Sequence, residues 1–289
     1  MATVEYGSRP VAAGRRKRGR RLDATVILSM CWLVVVVAAA LVGDNLTHYG
    51  ATTAVPDSRL LAPSPEHLLG TDDFSRDVLD RLIVGARSSM LIGFSVAVAS
   101  SLLGGTLGIA VAVWRRLEPP VMRVLDGLIA FPSIILTILL VTLFGAGHVQ
   151  VIFALTVVFF PRIARVVRGI TLSVVASPYV EAAEVIGGGR MWATWHHVLP
   201  NVIGPLGVQG TYVLSRAIVI DAALGFLGLA VPPPTPTWGN MLGDARLFIS
   251  QAWWMVFAPG VCIVLTSLAV NYAGDWLRDI TDKTRESSR

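Results

Sequence analysis

The sequence predicts an all-α, polytopic membrane protein with six transmembrane helices. Of its 289 residues 54% are hydrophobic and only 15% are charged, and the mean hydropathy is +0.65. This composition is too apolar for the surface of a water-soluble domain. A helix needs about 20 mostly apolar residues to cross the hydrocarbon core of a bilayer. Six segments meet this requirement, at residues 24–43, 89–114, 123–144, 149–169, 202–224 and 253–273.

The distribution of basic residues predicts that both termini are cytoplasmic. Cytoplasmic segments of membrane proteins retain lysine and arginine. Here 18 of the 24 basic residues fall in the N-terminal tail, the 2/3 loop, the 4/5 segment and the C-terminal tail, and five fall in the alternate loops. We therefore expect basic cytoplasmic tails at residues 1–22 and 281–289.

The basic tail and the first span, residues 23–45, have one alternative interpretation. Ala38-Ala39-Ala40 are small residues of the kind that signal peptidase accepts. The apolar run is long for a signal peptide, however, and its removal would leave five spans with opposed termini. A short basic run beside a span is typical of a topology anchor that contacts anionic lipid, so no nucleic-acid partner is expected.

The first extracytoplasmic loop, residues 46–88, is predicted to end in an amphipathic helix on the outer membrane surface. In its last third apolar residues recur with helical period. Arg76 with Asp80, and Asp77 with Arg81, have the spacing of i,i+4 ion pairs.

Three aspartates of this loop, Asp72, Asp73 and Asp77, do not have the spacing of a calcium loop. We expect Asp73 or Ser75 to cap the amphipathic helix. No metal site is predicted.

Span 2 is predicted to be buried against other helices. It carries two rows of small residues at i,i+4 spacing, Gly93, Ala97, Ser101 and Gly105 in one and Ser100, Gly104, Gly108 and Ala112 in the other. Helices in a bilayer associate by close backbone approach across such faces. Pro132, Pro161 and Pro259 interrupt spans 3, 4 and 6, where they permit kinks.

Charged residues within spans should face protein or water, because exposure to lipid costs about 2.5–3.5 kcal/mol each. Asp126 lies near the cytoplasmic start of span 3, and Arg216 and Asp221 lie in span 5. Asp221 is expected at the outer boundary, and Arg216 is a candidate for a central pathway. Their separation of five residues, about 140° around a helix, predicts that they do not pair.

The second large extracytoplasmic loop, residues 225–252, contains the proline-rich run from Pro232 to Trp238. Such a run should be stiff and extended. Its apolar flanks leave two arrangements open, a re-entrant hairpin or a cover over the bundle.

The cytoplasmic segment between spans 4 and 5, about residues 170–200, is predicted to contain a helix of two to three turns. Ser177 suits the N-cap and Pro178 the first helical position, and Gly187 suits the end. A helix this short is marginal in water, so other contacts or a partner must hold it.

A second short helix is predicted at residues 190–197, with Leu199-Pro200 turning the chain into span 5. Ala182 and Ala183 permit close approach of another surface, and Glu181 offers a charge to a basic partner.

The cytoplasmic segment resembles the coupling loop of permease subunits of binding-protein-dependent ABC importers. The matching positions are Glu181-Ala182-Ala183, Gly187, His197 and Leu199-Pro200. Three further segments resemble the second, or C-type, permease of the dipeptide, oligopeptide and nickel branch, at residues 69–77, 225–242 and 271–279. Gly188-Gly189 stands where that family usually has an Ala-Ser type of pair.

The resemblance implies a type I ABC importer permease in a prokaryotic inner membrane. It implies partners: a homologous B-type permease, two cytoplasmic ATPase subunits or domains, and an extracytoplasmic substrate-binding protein. The matching coupling-loop residues would dock on an ATPase, which would bind ATP and magnesium. Candidate binding-protein contacts are Asp72, Asp73, Pro233 and Trp238, and residues 89–280 would form the core permease domain.

The chain itself is predicted to bind no cofactor and to catalyse no reaction. It has no GxxxxGK[ST] phosphate loop, no HExxH and no GxSxG. His196 and His197 lack a third ligand at useful spacing, so they are expected to be polar residues of the coupling loop.

The expected function is import of di- or oligopeptides driven by partner ATPases. An importer of nickel or another small solute from the same branch is an alternative, and so is a secondary transporter or channel. The last would need coupling carboxylates at mid-membrane and often repeated halves.

Overall fold

The protein is a bundle of α-helices in the computed structural model, which describes residues 24–185 and 187–287. No β-strand occurs within these residues. The predicted basic tail at 1–22 lies outside them. In chain order the helices are α1 (Ala24–Leu46), α2 (Val78–Val113), α3 (Glu118–Ala130), α4 (Ser133–Phe144), α5 (His148–Val175), α6 (Pro178–Val185), α7 (Arg190–Ala193), α8 (Leu199–Phe226), α9 (Trp238–Ala245) and α10 (Trp254–Ser287).

The all-α membrane fold is confirmed. Five segments are long and apolar enough to cross a membrane, and a sixth is obtained if α3 and α4 together count as one span. These five are Ala24–Gly43, Val78–Val113, His148–Val175, Met191–Phe226 and Trp254–Thr281.

The predicted third span is broken, not merely kinked. Its two halves, α3 and α4, meet at 95°. Phe131 is extended, with ψ of 137°, because proline disfavours the helical conformation of the residue before it. Pro132 itself is also extended, with ψ of 128°. By contrast, Pro161 and Pro259 lie inside continuous helices.

α3 is held against α5 by two ion pairs, which join Arg165 to Asp126 and Arg168 to Glu118. Asp126 therefore has a protein partner, as expected for a charge at this depth.

α2 starts eleven residues before the predicted boundary at residue 89, at Val78. The predicted amphipathic helix is its first part and is not a separate helix on the membrane surface. Asp80 and Arg81 of this part are buried and have partners inside the protein, so they need no contact with water. The N-cap is Asp77, whose side chain accepts from the Asp80 amide, and not Asp73 or Ser75.

The proline-rich loop after α8 leads into a short buried helix, α9. Thr237 caps it through a reciprocal pair of hydrogen bonds with Asn240. A methyl group on Gly239 would lie 2.8 Å from the Ala222 Cα, and one on Gly225 would lie 2.6 Å from the Gly239 carbonyl carbon. α9 thus packs directly against the end of α8.

The two rows of small residues on α2 contact two different helices. A methyl group on Gly104 would lie 2.7 Å from the Phe160 carbonyl oxygen, and one on Gly108 would lie 2.6 Å from that of Ala164. This row therefore faces α5. In the other row, a methyl group on Gly93 would meet Ile218 of α8 at 2.9 Å. The predicted burial of span 2 is confirmed, and its partners belong to its own bundle.

We expect Gly108→Val to destabilise the bundle. The new side chain would overlap α5 backbone that cannot retreat, at a cost of about 1–3 kcal/mol, so the midpoint of thermal unfolding in detergent should fall by several degrees. Gly169→Val on α5 is the matched control, because nothing lies within 4 Å of a methyl group there. Equal midpoints for the two variants would contradict the close α2–α5 contact.

Candidate functional site

The cytoplasmic segment of the sequence analysis folds into two short helices that join α5 to α8. α6 spans Pro178–Val185, and α7 continues through a π-helical turn at Thr194–Val198. Ser177 directly precedes α6, at the N-cap position that was predicted for it. Its hydroxyl, however, donates back to the Val174 carbonyl. We call residues 177–200 the coupling segment.

Two glycines end α6. Gly187 has φ of +104°, which favours glycine, and the Gly188 amide donates to the Ala183 carbonyl at 3.0 Å. A methyl group on Gly188 would lie 2.8 Å from that carbonyl oxygen and 2.9 Å from the Trp192 ring. Gly188 therefore permits a tight turn.

The coupling segment enters α8 without the predicted turn at Leu199-Pro200. Val198 and Leu199 both have helical dihedral angles, and the Leu199 amide donates to the Thr194 carbonyl. The wider π turn accommodates Pro200, which has no amide hydrogen to donate. The Asn201 side-chain amide donates to the His197 carbonyl at 2.8 Å, which adds a hydrogen bond at this junction.

Aromatic rings connect α6 to the π turn. The His197 ring meets the edges of Tyr179 and Trp192, with centroid distances of 5.5 and 5.4 Å. The His196 ring stacks on Trp192 at 4.4 Å. His197 is half-buried and His196 is exposed. Both histidines therefore take part in packing within the segment.

One face of α6 is buried and another is open. Val180 is 1% exposed and packs inward, whereas Val185 is 87% exposed. Ala182 is exposed and Ala183 is half-buried. The side chain of Glu181 lies outside the described structure. Trp192 and Trp195 are also exposed, so the coupling segment presents an apolar surface that no other part of the described structure covers.

The other end of the bundle is closed by a network of buried charges. One Asp72 carboxylate oxygen accepts the Phe74 and Arg76 amides, and the other lies 2.6 Å from the Arg76 Nε and 3.5 Å from the Arg81 Nε. Both arginines also approach Asp244 of α9, at 3.6 and 3.3 Å. We call Asp72, Arg76, Arg81 and Asp244 the outer network.

The segment before α2 is anchored to the same region. Asp80 accepts the amides of residues 48–50, and Asp77 contacts the buried His67 ring at 2.8 Å. The predicted pairs Arg76–Asp80 and Asp77–Arg81 do not form, because these closer partners take their charges.

Two predicted binding-protein contacts are buried in this region. Asp72 is 3% exposed, and Trp238 is 2% exposed and donates its indole N–H to the Leu82 carbonyl. Neither offers its side chain to a partner, which corrects the expectation. Asp73 is half-buried and Pro233 is exposed. Burial, and after it repulsion from Asp72, raises the pKa of the Asp73 carboxyl.

The two charged residues of span 5 lie on different sides of α8. Arg216 is exposed, whereas Asp221 is 1% exposed and its Oδ1 makes no hydrogen bond within the described residues. They do not pair, as their spacing predicted. Asp221 is buried within the bundle, so its side chain has no surface to offer a solute.

Sequence reasoning missed Asp244, Tyr179 and Trp192. No local pattern connects Asp244 to arginines more than 160 residues away. The spacing of Trp192 and His196, one helical turn, could have indicated the ring stack.

Comparison with known proteins identifies the class. The family profile described as "Binding-protein-dependent transport system inner membrane component" matches residues 102–286. The chain belongs to this family, and the resemblance inferred from its motifs is confirmed.

Individual relatives match over most of their length. The chain is 39% identical to a putative peptide transport system permease protein of Brucella suis, over 96% of this chain and 93% of that protein. It is 40% identical to the di/tripeptide transport system permease protein DppC of Pseudomonas aeruginosa, over 88% and 86%. It is also 40% identical to the dipeptide transport system permease protein DppC of Escherichia coli, over 89% and 88%.

We expect Asp72→Asn to destabilise the protein by about 3–5 kcal/mol, because two buried arginines lose one of the two aspartates that they share as counter-ions. The amide oxygen can still accept the two backbone N–H groups, so its NH₂ would face the guanidinium groups. Thermal unfolding in detergent measures the loss. Asp57→Asn, at an exposed position with φ of +59° that asparagine tolerates, should leave the midpoint unchanged. An unchanged midpoint for Asp72→Asn would contradict the role of the outer network.

Proposed function

We propose that this chain is a transmembrane permease subunit of an ABC importer for di- or oligopeptides. It would form half of the translocation pathway. The observation that carries the proposal is the family match over residues 102–286, which includes the whole coupling segment. The peptide substrate class is supported by the printed names of relatives that align along most of the chain.

We infer that the importer contains a homologous B-type permease, two ATPase subunits or domains and an extracytoplasmic binding protein. ATP and magnesium would be bound by the ATPases, since this sequence has no phosphate loop. The exposed side chains of Val185 and Trp192 on the coupling segment support an ATPase partner, because exposed apolar side chains of this kind mark interaction sites.

Both termini are proposed to be cytoplasmic. The excess of basic residues in alternate segments supports this orientation. It places the coupling segment in the cytoplasm and the outer network on the opposite face.

The coupling segment is suited to transmit movement into the membrane. Helical backbone is continuous from Arg190 through the π turn to Phe226, a length of about 55 Å at 1.5 Å per residue. An ATPase that displaced α6 would therefore move a rigid element that reaches across the bilayer. The ring contacts of His197 and the turn at Gly188 join α6 to that element.

Arg216 is proposed to face the pathway formed with the second permease. Its charge lies on an exposed side of a membrane span, where contact with lipid is costly. A water-filled pathway would solvate the guanidinium group and bring it near the carboxylates of a peptide.

Purification of the intact complex and its reconstitution into vesicles test the function. We expect the chain to purify with a second permease and ATPases, and peptide uptake to require both ATP and the binding protein. Uptake by this chain alone without nucleotide would contradict the proposal.

Gly188→Val should uncouple the complex. Its side chain would overlap the Ala183 carbonyl and Trp192 and so displace α6, which should reduce peptide-stimulated ATP hydrolysis at least tenfold. Gly189→Val is the matched control, because nothing lies within 4 Å of a methyl group there. If both variants hydrolyse ATP like the wild type, the turn has no part in coupling.

Arg216→Gln should lower uptake of acidic peptides several-fold more than uptake of neutral ones, because it removes the charge that would attract carboxylates. Arg216→Lys keeps the charge and should restore most of the difference. Competition between acidic and neutral peptides in vesicles measures it. The same loss for both classes would argue against a selective role in the pathway.

A further inference from the structure

An apolar groove lies between the second half of α2 and the start of α8. Its volume is about 230 Å³. On one side it is lined by Ile109, Ala110 and Trp114 of α2 and its end, and on the other by Met191 of α7, Trp195 of the π turn and Leu199, the first residue of α8. The hydroxyl of Thr106, which also borders the groove, donates to the Leu102 carbonyl. The groove therefore offers almost only hydrocarbon to an occupant.

One end of the groove adjoins a basic rim. Trp114 borders both the groove and a second, open hollow lined by Arg115 and Arg116. Both arginines are exposed. The acidic side chains of the following helix do not neutralise them, because Glu118 pairs with Arg168 and Asp126 with Arg165. No ion pair of Arg115 or Arg116 occurs within the described residues.

We propose that this groove and rim form a binding site for an anionic phospholipid. An acyl chain would occupy the apolar groove, and the phosphate would lie beside Arg115 and Arg116. The arrangement matches such a lipid in both parts, because it places unpaired positive charge at one end of a hydrocarbon slot. The two exposed tryptophans, Trp114 and Trp195, belong to a residue type that is enriched at the level of lipid headgroups.

The charge distribution favours a lipid over another occupant. A peptide in transit would need polar partners along its backbone, and the groove walls are almost entirely apolar. An anionic phospholipid supplies both an acyl chain for the apolar walls and a phosphate for the two arginines, whereas a purely hydrophobic helix of another subunit would match the apolar walls alone.

A bound lipid would touch the coupling segment directly. The second wall of the groove belongs to the coupling segment, at Met191, Trp195 and Leu199. The lipid would therefore bridge this segment and α2. The site thus lies beside the element that the proposed function assigns to energy coupling, although the lipid proposal requires only that the chain is embedded in a membrane.

Photo-crosslinking tests the site on the purified complex in phosphatidylcholine nanodiscs. Phosphatidylglycerol with a photoreactive acyl chain is the probe, and phosphatidylcholine with the same chain is the comparison. We expect phosphatidylglycerol to label peptides from residues 106–114 and 191–199. Arg115→Gln with Arg116→Gln should reduce this labelling about 25-fold, since each arginine near a headgroup contributes about fivefold.

Three controls make the result decisive. Arg246→Gln removes an exposed arginine at the other end of the bundle and should leave labelling unchanged. Ala110→Phe fills the groove and should abolish labelling by both lipids. Excess glycerol phosphate in solution should not compete, because it has no acyl chain.

The proposal is overturned by equal labelling from the two lipids, by labelling that the arginine substitutions do not reduce, or by displacement with glycerol phosphate. It is equally overturned if a partner permease occupies the groove and no lipid crosslink forms there. Peptide uptake by the same complex is measured separately, so that a failure of the lipid site is distinguished from a failure of the transport function.

Discussion

The close contact of α2 with α5 and α8 is the constraint on which the rest of this structure depends. In a bilayer the hydrophobic effect does not draw apolar helices together, so packing must supply the attraction. Glycines on two neighbouring rows let α2 approach a different helix on each side. Because α5 and α8 flank the coupling segment in the chain, their spacing against α2 also determines where that segment lies.

The two ends of the bundle are stabilised by different physics. At the end that carries Asp72 and Asp244, charged side chains neutralise one another, and α9 packs against the end of α8. At the other end, α6 depends on Val180, ring contacts of His197 and a tight turn at Gly188. The first end is suited to remain rigid. The second has few buried contacts of its own and leaves apolar surface for a partner.

This asymmetry agrees with a subunit that receives movement at one end. A buried ion network tolerates little displacement, because separated charges would remain in a medium of low dielectric constant. The continuous helix from α7 through α8 links the exposed end to the closed one. A lipid in the groove beside α7 would adjoin the same link, which places the proposed lipid site and the proposed coupling role on one element.

The sequence by itself determined the apolar spans, the excess of basic residues on one side, the burial of span 2, and α6 with its glycine end. Each depends on composition or on residues within a few positions, where local physics decides. The family motifs added the class of protein. Only the tertiary structure decided that α2 starts at Val78, that the third span breaks at Pro132, and that Asp72 and Trp238 are buried. Arg81 contacts Asp244, which lies 163 residues further along the chain. Sequence spacing cannot reveal such a contact, because only folding brings the two charges together.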